Sequence, residues 1–286
     1  MMARLHGYFL MTKPRAMAVV LVTAAAGYLL AIRGSWDFAI LVHLLLGAGL
    51  SGGGSIVLNQ YLERDHDRHM LRTRLRPLPS GLISPRAALI YGIVLSVVGT
   101  AWLAVFVNGI TSILGGLCVV SYVLLYTPLK RVTTLNTAVG AVPGAIPPMM
   151  GWTAVTGAID LEAWVLFLIL FIWQFPHFLA IGWLYRDDYA RAGYTMLAGR
   201  DPDGRVTARQ MVLNASCLMV VSLLPVSISM AGPHYGTGAV MLGIALLVLC
   251  LMFRVHRSTA MARLVLKGSV VHIALLMIFL VADKLR

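Results

Sequence analysis

Nine stretches of mostly apolar residues, at about 15–33, 36–59, 86–107, 109–127, 135–157, 162–184, 208–231, 235–253 and 267–283, fill most of this 286-residue sequence. No other property narrows its fold as far. A run of about 20 such residues is what an α-helix needs to cross the ~30 Å hydrocarbon core of a bilayer. There, backbone polar groups are satisfied within helices or closed barrels. The expectation is an all-α, polytopic membrane bundle of about nine transmembrane helices, with residues 1–286 as a single domain. Composition agrees, because 59% hydrophobic and 12% charged residues fall far from the roughly 25% charged of soluble domains. The formal net charge of +12 reads first as a topology signal, so the lipid bilayer is the expected partner and no nucleic acid is. Cys118, Cys217 and Cys250 are widely spaced in apolar runs with no CxxC pair, which suits packing and not a disulfide framework. The first run ends Ala31-Ile32-Arg33-Gly34-Ser35 without a small-residue cleavage site, so it is expected to be a retained span.

The breaks between runs predict the connections. Asn108-Gly109, Thr127-Pro128 and Gly232-Pro233 suit tight turns between neighbouring helices. The fifth run carries Gly140, Pro143, Gly144, Pro147 and Pro148, which predicts a kinked or partly unwound helix, tolerated where freed backbone is buried or lines a cavity. With the N-terminus cytoplasmic, all of the 23 Lys and Arg except Arg33, Lys284 and Arg286 fall in segments on the cytoplasmic side. That is the expected bias for a protein of the inner (cytoplasmic) membrane with its C-terminus outside. It also places every large polar loop on one face.

The first of those loops is the richest. After an apolar run come Asn59, Glu63 and Asp67, four residues apart, a spacing that forms one ridge on a helix. An amide and two carboxylates there suit a hard divalent ion, and Mg²⁺ in particular completes its shell with water and substrate phosphate. Arg72, Thr73, Arg74 and Arg76 follow and supply donors for a polyphosphate. The competing reading is the solvated end of a helix whose charges neutralise one another.

A second polar cluster closes the sixth run. Trp173-Gln174-Phe175-Pro176-His177-Phe178 leads to Tyr185-Arg186-Asp187-Asp188-Tyr189 and Arg191. Asp187 and Asp188 are candidates for a second or shared divalent ion, and Arg186, Arg191, Lys130 and Arg131 for phosphate oxygens. His177 is either a hydrogen-bonded structural residue or a group that meets a carboxylate or a haem iron. A secondary transporter of an anionic substrate also suits a broken helix with buried charge, but the acids cluster at one face and no paired broken segments occur in two halves.

Several strings in the chain resemble the UbiA-type intramembrane prenyltransferases, in which two acidic motifs bind Mg²⁺ and a prenyl diphosphate. They are Asn59-x3-Glu63-x-Asp65-x-Asp67-x2-Met70-x-Arg72-Thr73-x2-Arg76-Pro77, Tyr126-Thr127-Pro128-Leu129-Lys130-Arg131, Pro143-Gly144-Ala145-Ile146-Pro147-Pro148 and Trp173-Gln174-x-Pro176-His177-Phe178 with Trp183-x-Tyr185-Arg186-Asp187-Asp188-Tyr189. Glu63 stands where the family usually has Asp, and the second motif is poorer in Asp than in quinone-making members. Both departures point to the family's haem-modifying branch. The resemblance implies Mg²⁺ as cofactor, held by Asn59, Glu63, Asp67, Asp187 and Asp188 as the catalytic set. It implies farnesyl diphosphate and protohaem IX as substrates, bound by Arg72, Thr73, Arg76, Lys130, Arg131, Trp173, Gln174, His177, Arg186 and Tyr189. The reaction would be transfer of farnesyl to a haem vinyl group with addition of water, giving haem O and diphosphate. A downstream haem A-forming enzyme would be a partner. The alternative within the family is an aromatic acceptor, a quinone precursor or chlorophyll-type ring.

Overall fold

The computed structural model describes residues 2–285, which form helices and turns with one isolated bridge between Ala231 and Lys284. A short helix α1 (Met2–Met11) precedes the first span and was not expected from the apolar pattern. The bundle then runs through α2 (Pro14–Ala31), α3 (Phe38–Asp67), α4 (Pro85–Phe106), α5 (Gly109–Leu129), α6 (Asn136–Thr156) and α7 (Leu161–Leu184). A one-and-a-half-turn helix α8 (Arg186–Arg191) follows, then α9 (Arg205–Val221), α10 (Pro233–His256) and α11 (Thr259–Ala282).

Starts follow local chemistry. Asp37, Ser84, Asn108 and Ser258 each accept a bond from the first turn of the next helix, satisfying donors that have no partner within the helix. Gly232-Pro233 does open α10 as a turn. Thr127-Pro128 does not break the chain. Residues Ser121–Tyr126 are π-helical and lead straight into Thr127–Leu129, so the turn comes only after Lys130. Pro233 is tolerated at the start of α10 because its missing N–H is needed there least.

Eight helices among the described residues are long and apolar enough to cross a membrane. The ninth expected span, α6, is less apolar and lies enclosed between α2, α5 and α7. The expected unwound turn is absent, for α6 is one helix through Pro143, Pro147 and Pro148. One neighbour takes up a carbonyl that proline leaves free. Pro147 has no N–H for the Pro143 carbonyl, and the Cys118 thiol donates to that oxygen at 3.3 Å. Gln174 Nε2 of α7 adds a bond to the Ala141 carbonyl at 2.9 Å.

Helix α2 packs on α6 through backbone. A Cβ on Gly27 would collide with the Pro148 carbonyl oxygen, and one on Gly151 with that of Ala24. Small residues at such contacts are how helices associate where lipid removes the hydrophobic incentive. Helix α11 touches both α7 and α2, bringing the last span to the first. Outer faces such as Ile90, Ile93, Val94 and Val97 of α4 and Met241, Ile244 and Val248 of α10 are exposed and apolar, as a lipid-facing surface has to be.

The two ends of the bundle differ in charge. At the far end of α2, Lys284 Nζ donates to the Leu29 carbonyl at 2.7 Å, and Arg33 to that of Leu285 at 2.6 Å. Two of the three cations outside the polar face thus cap one pole. The opposite pole, at the start of α2 and the end of α3, holds the buried carboxylates Glu63 and Asp67.

Candidate active site

Helix α3 outlasts its apolar run by two turns, and these carry Asn59, Gln60, Glu63 and Asp67, all buried. Buried carboxylates are costly without partners, and each has one. Glu63 Oε1 lies 2.7 Å from Lys130 Nζ, and Asp67 Oδ2 lies 2.9 Å from the Arg76 guanidinium. Asp67 Oδ1 is buried without a hydrogen-bond partner, an unfilled acceptor of the kind that asks for a ligand. Asn59 donates its Nδ2 to Thr127 Oγ1 at 3.0 Å, which leaves its carbonyl oxygen on the ridge.

The π-helical turn of α5 positions the facing side. Thr127 Oγ1 donates to the Tyr122 carbonyl at 2.8 Å, and Lys130 sits 4.5 Å from the Tyr126 ring centroid. Burial works against the charge of Lys130, but Glu63, Tyr126 and Tyr122 outweigh it and hold the amine well above the usual lysine value. Arg131 donates to the Leu62 carbonyl at 3.0 Å. Thr73, fully buried, donates to the Asp67 carbonyl at 2.8 Å and closes the loop on the helix end.

Asp187 and Asp188 have different surroundings. Asp188 is buried and accepts from the backbone N–H of Leu71 at 3.2 Å, that of Arg72 at 3.3 Å, and the Arg191 guanidinium. Burial raises its pKa, but those donors more than reverse this and hold the carboxyl below the usual value. It braces the Arg72 loop against α8. Asp187 has an 80% exposed side chain, 3.9 Å from Arg186 Nε, and stands outside the buried cluster. Arg72 lies over Tyr185, and Arg186 over Trp183. Tyr189 packs edge-on against Tyr194, and the Tyr194 ring lies 5.9 Å from Lys130.

Trp173, Gln174 and His177 lie deeper, on membrane-spanning α7. Trp173 Nε1 donates to the Ser269 carbonyl at 2.6 Å, and His177 Nδ1 lies 2.9 Å from Ser269 Oγ. Gln174 is spent on α6 and on the Leu170 carbonyl. These three face the interior of the bundle, apart from the ionic cluster.

Lys13 belongs to the cluster and was read from sequence only as a topological charge. It precedes α2 with φ 48° and ψ 63°, a left-handed conformation uncommon for a non-glycine residue and often kept at functional sites. Gln60 Nε2 anchors this link through the Met11 carbonyl at 2.6 Å. Burial, then the charges of Arg76 and Lys130, push the Lys13 amine down to about 7 against the pull of Glu63 and Asp67. A conspicuous Lys-Pro pair before the first span was its signal in the sequence.

The profile of the UbiA prenyltransferase family matches residues 20–276. The chain is 41% identical to the protoheme IX farnesyltransferase of Solibacter usitatus, over 98% of this chain and 99% of that one. It is 43% identical to that of Salinibacter ruber, with the same coverage. A solved digeranylgeranylglyceryl phosphate synthase superposes with a TM-score of 0.81 at 15% identity, covering 98% of both chains. A UbiA homologue of Archaeoglobus fulgidus bound to DMAPP and Mg²⁺ gives 0.74 at 15% identity, over 96% of this chain and 98% of that one. At such identity the two structures show a shared fold.

Proposed function

The chain belongs to the UbiA prenyltransferase family, and from that membership we propose that it transfers the farnesyl group of farnesyl diphosphate to a vinyl group of protohaem IX. It is a multi-pass membrane enzyme. The acceptor follows from relatives, alike along nearly the whole chain, that are named for protohaem IX. One observation supports the chemistry: a buried amide and two carboxylates on one helical ridge face Lys130 and Arg76 at the edge of an apolar bundle. The same ridge would serve an aromatic acceptor, so the choice of acceptor rests on those relatives; anion transport finds no comparable feature.

The ridge fits a hard divalent ion. Asn59, Glu63 and Asp67 offer oxygen ligands in the number Mg²⁺ takes from protein, and the unpartnered Oδ1 of Asp67 is an open one. Bound there, Mg²⁺ would supply charge neutralisation to the diphosphate. Lys130 and Arg76, which pair the acids in the free protein, are the nearest donors for diphosphate oxygens, with Lys13, Arg72, Thr73 and Arg131 around them. Asp188 fixes the Arg72 loop, and Asp187 with Arg186 and Tyr189 stands at the rim as the second acidic element.

These donors stabilise negative charge as the allylic C1–O bond breaks and its electron pair leaves with diphosphate. The apolar interior keeps water from the allylic carbon while it carries positive charge. The vinyl π pair then forms the new C–C bond. Positive charge develops on the vinyl carbon beside the ring, and water adds there and releases a proton, giving haem O. Trp173, Gln174 and His177 line the acceptor side, with His177 as the orienting group. Haem O would pass to a haem A-forming enzyme. The polar pole faces the cytoplasm of an inner membrane, with the N-terminus inside and the C-terminus outside.

The test is mass spectrometry of purified protein given Mg²⁺, farnesyl diphosphate and protohaem. The expected result is a farnesylated, hydrated haem that disappears with EDTA. Diphosphate release only on supplying an aromatic acid would move the acceptor to the sibling class.

A further inference from the structure

His177 is held on two sides by a small apparatus that the transfer chemistry does not require. The Trp173 indole stacks on its imidazole, with centroids 5.0 Å apart and planes 28° from parallel. The same indole donates to the backbone of Ser269 at 2.6 Å, and Ser269 Oγ meets His177 Nδ1 at 2.9 Å. Ser269 is fully buried on α11. Its hydroxyl has one proton, and that proton is directed at the Leu266 carbonyl 2.8 Å away. Toward the imidazole, Ser269 Oγ is therefore an acceptor, and Nδ1 carries the ring proton. Nε2 is left with its lone pair, the one ring hydrogen bond among the described residues being that of Nδ1.

Resting on the protohaem reading above, we infer that Ser269 is a positioning residue: it fixes the Nδ1–H tautomer of His177 so that Nε2 ligates the iron of the acceptor haem. Ligating histidines generally donate their other ring N–H to an oxygen, which sets both tautomer and ring orientation. Here the oxygen comes from another helix, so the contact between α7 and α11 sets the direction of the lone pair. Trp173 limits rotation of the ring about its own bond. A haem fixed at its iron has its vinyl groups at a set distance and bearing from the allylic carbon, the positioning that a two-substrate reaction gains most from.

The experiment uses the full-length protein in detergent or nanodiscs, with ferric protohaem titrated by absorbance and EPR. ¹⁵N-histidine spectra of the haem-free protein report the tautomer. Wild type is expected to show an Nδ1–H imidazole at His177 and an imidazole-ligated haem. His177→Ala loses the ligated spectrum. Ser269→Ala loses the tautomer preference, weakens haem binding by about 10- to 100-fold and raises the KM for haem while the KM for farnesyl diphosphate stays put. Ser269→Thr, which keeps the hydroxyl, restores all three. Unchanged farnesyl diphosphate binding shows that each variant is folded. An Nε2–H tautomer in wild type, a wild-type spectrum in His177→Ala, or unchanged haem binding in Ser269→Ala overturns the inference. Wild type that makes farnesylated haem without an imidazole-ligated iron overturns it and leaves the protohaem reading standing. Wild type that neither binds nor modifies haem overturns both.

Discussion

Glu63 and Asp67 put the sharpest demand on the proposal. Each is a buried carboxylate with a basic partner, and Glu63→Gln or Asp67→Asn keeps shape and an acceptor oxygen while removing the charge. Turnover in either variant is expected to fall by at least about 10²–10³-fold, with an unchanged elution profile and melting curve as the check on folding. Lys13 gives a pH test. Its amine stands near 7 in the free protein, for reasons of burial first and the Arg76 and Lys130 charges next. A diphosphate bound beside it favours the protonated form, so binding takes up a proton once the pH exceeds that value. Affinity for farnesyl diphosphate is therefore full below about pH 7 and falls by up to tenfold per unit above it. Dissociation constants measured across that range should show the slope in wild type and lose it in Lys13→Met. Asn59, Glu63 and Asp67 were legible in the sequence because a four-residue period on a helix is a geometric statement. Lys13 was not, because its place beside them depends on a link between α1 and α2 that Gln60 holds from another helix.

At the scale of elements, apolar runs located the spans. What pattern reading misjudged was proline and the π-helical turn. Pro143, Pro147 and Pro148 suggested a kinked or partly unwound helix, yet α6 is continuous, and the Pro143 carbonyl that Pro147 leaves free accepts from Cys118 on a neighbouring helix. Thr127-Pro128 suggested a turn, yet the wide π turn before it carries the helix on and delivers Lys130 to Glu63. Both outcomes depend on partners distant in sequence, which local propensity does not see. The joint between α2 and α6 offers the element-scale prediction. Gly151→Val would drive a side chain into the Ala24 backbone, where no flexible group can give way. The expected cost is about 3 kcal/mol or more, read as a lower melting temperature in detergent, whereas Gly199→Ala, in open space, should melt like wild type.

For the whole molecule, charge separates the two poles, and orientation can be checked directly. In a background without native cysteines, Ser35→Cys should react with an impermeant maleimide in intact spheroplasts, and Ser80→Cys only after lysis. The reverse pattern would turn the bundle over. The polar pole has a thermodynamic consequence of its own. Because Lys130 closes on Glu63 and Arg76 on Asp67, the resting site is its own counter-ion. An anion arriving alone finds Lys130 and Arg76 engaged, and a cation arriving alone finds Glu63 and one oxygen of Asp67 engaged. Both exchanges become favourable together, so metal and diphosphate should act as each other's effectors, with reciprocal coupling of the usual 1–3 kcal/mol, or about 5- to 150-fold in either affinity. Calorimetric titration of each in the presence and absence of the other should return the same factor both ways, and equal affinities in all four titrations would mean that the ion pairs are bystanders.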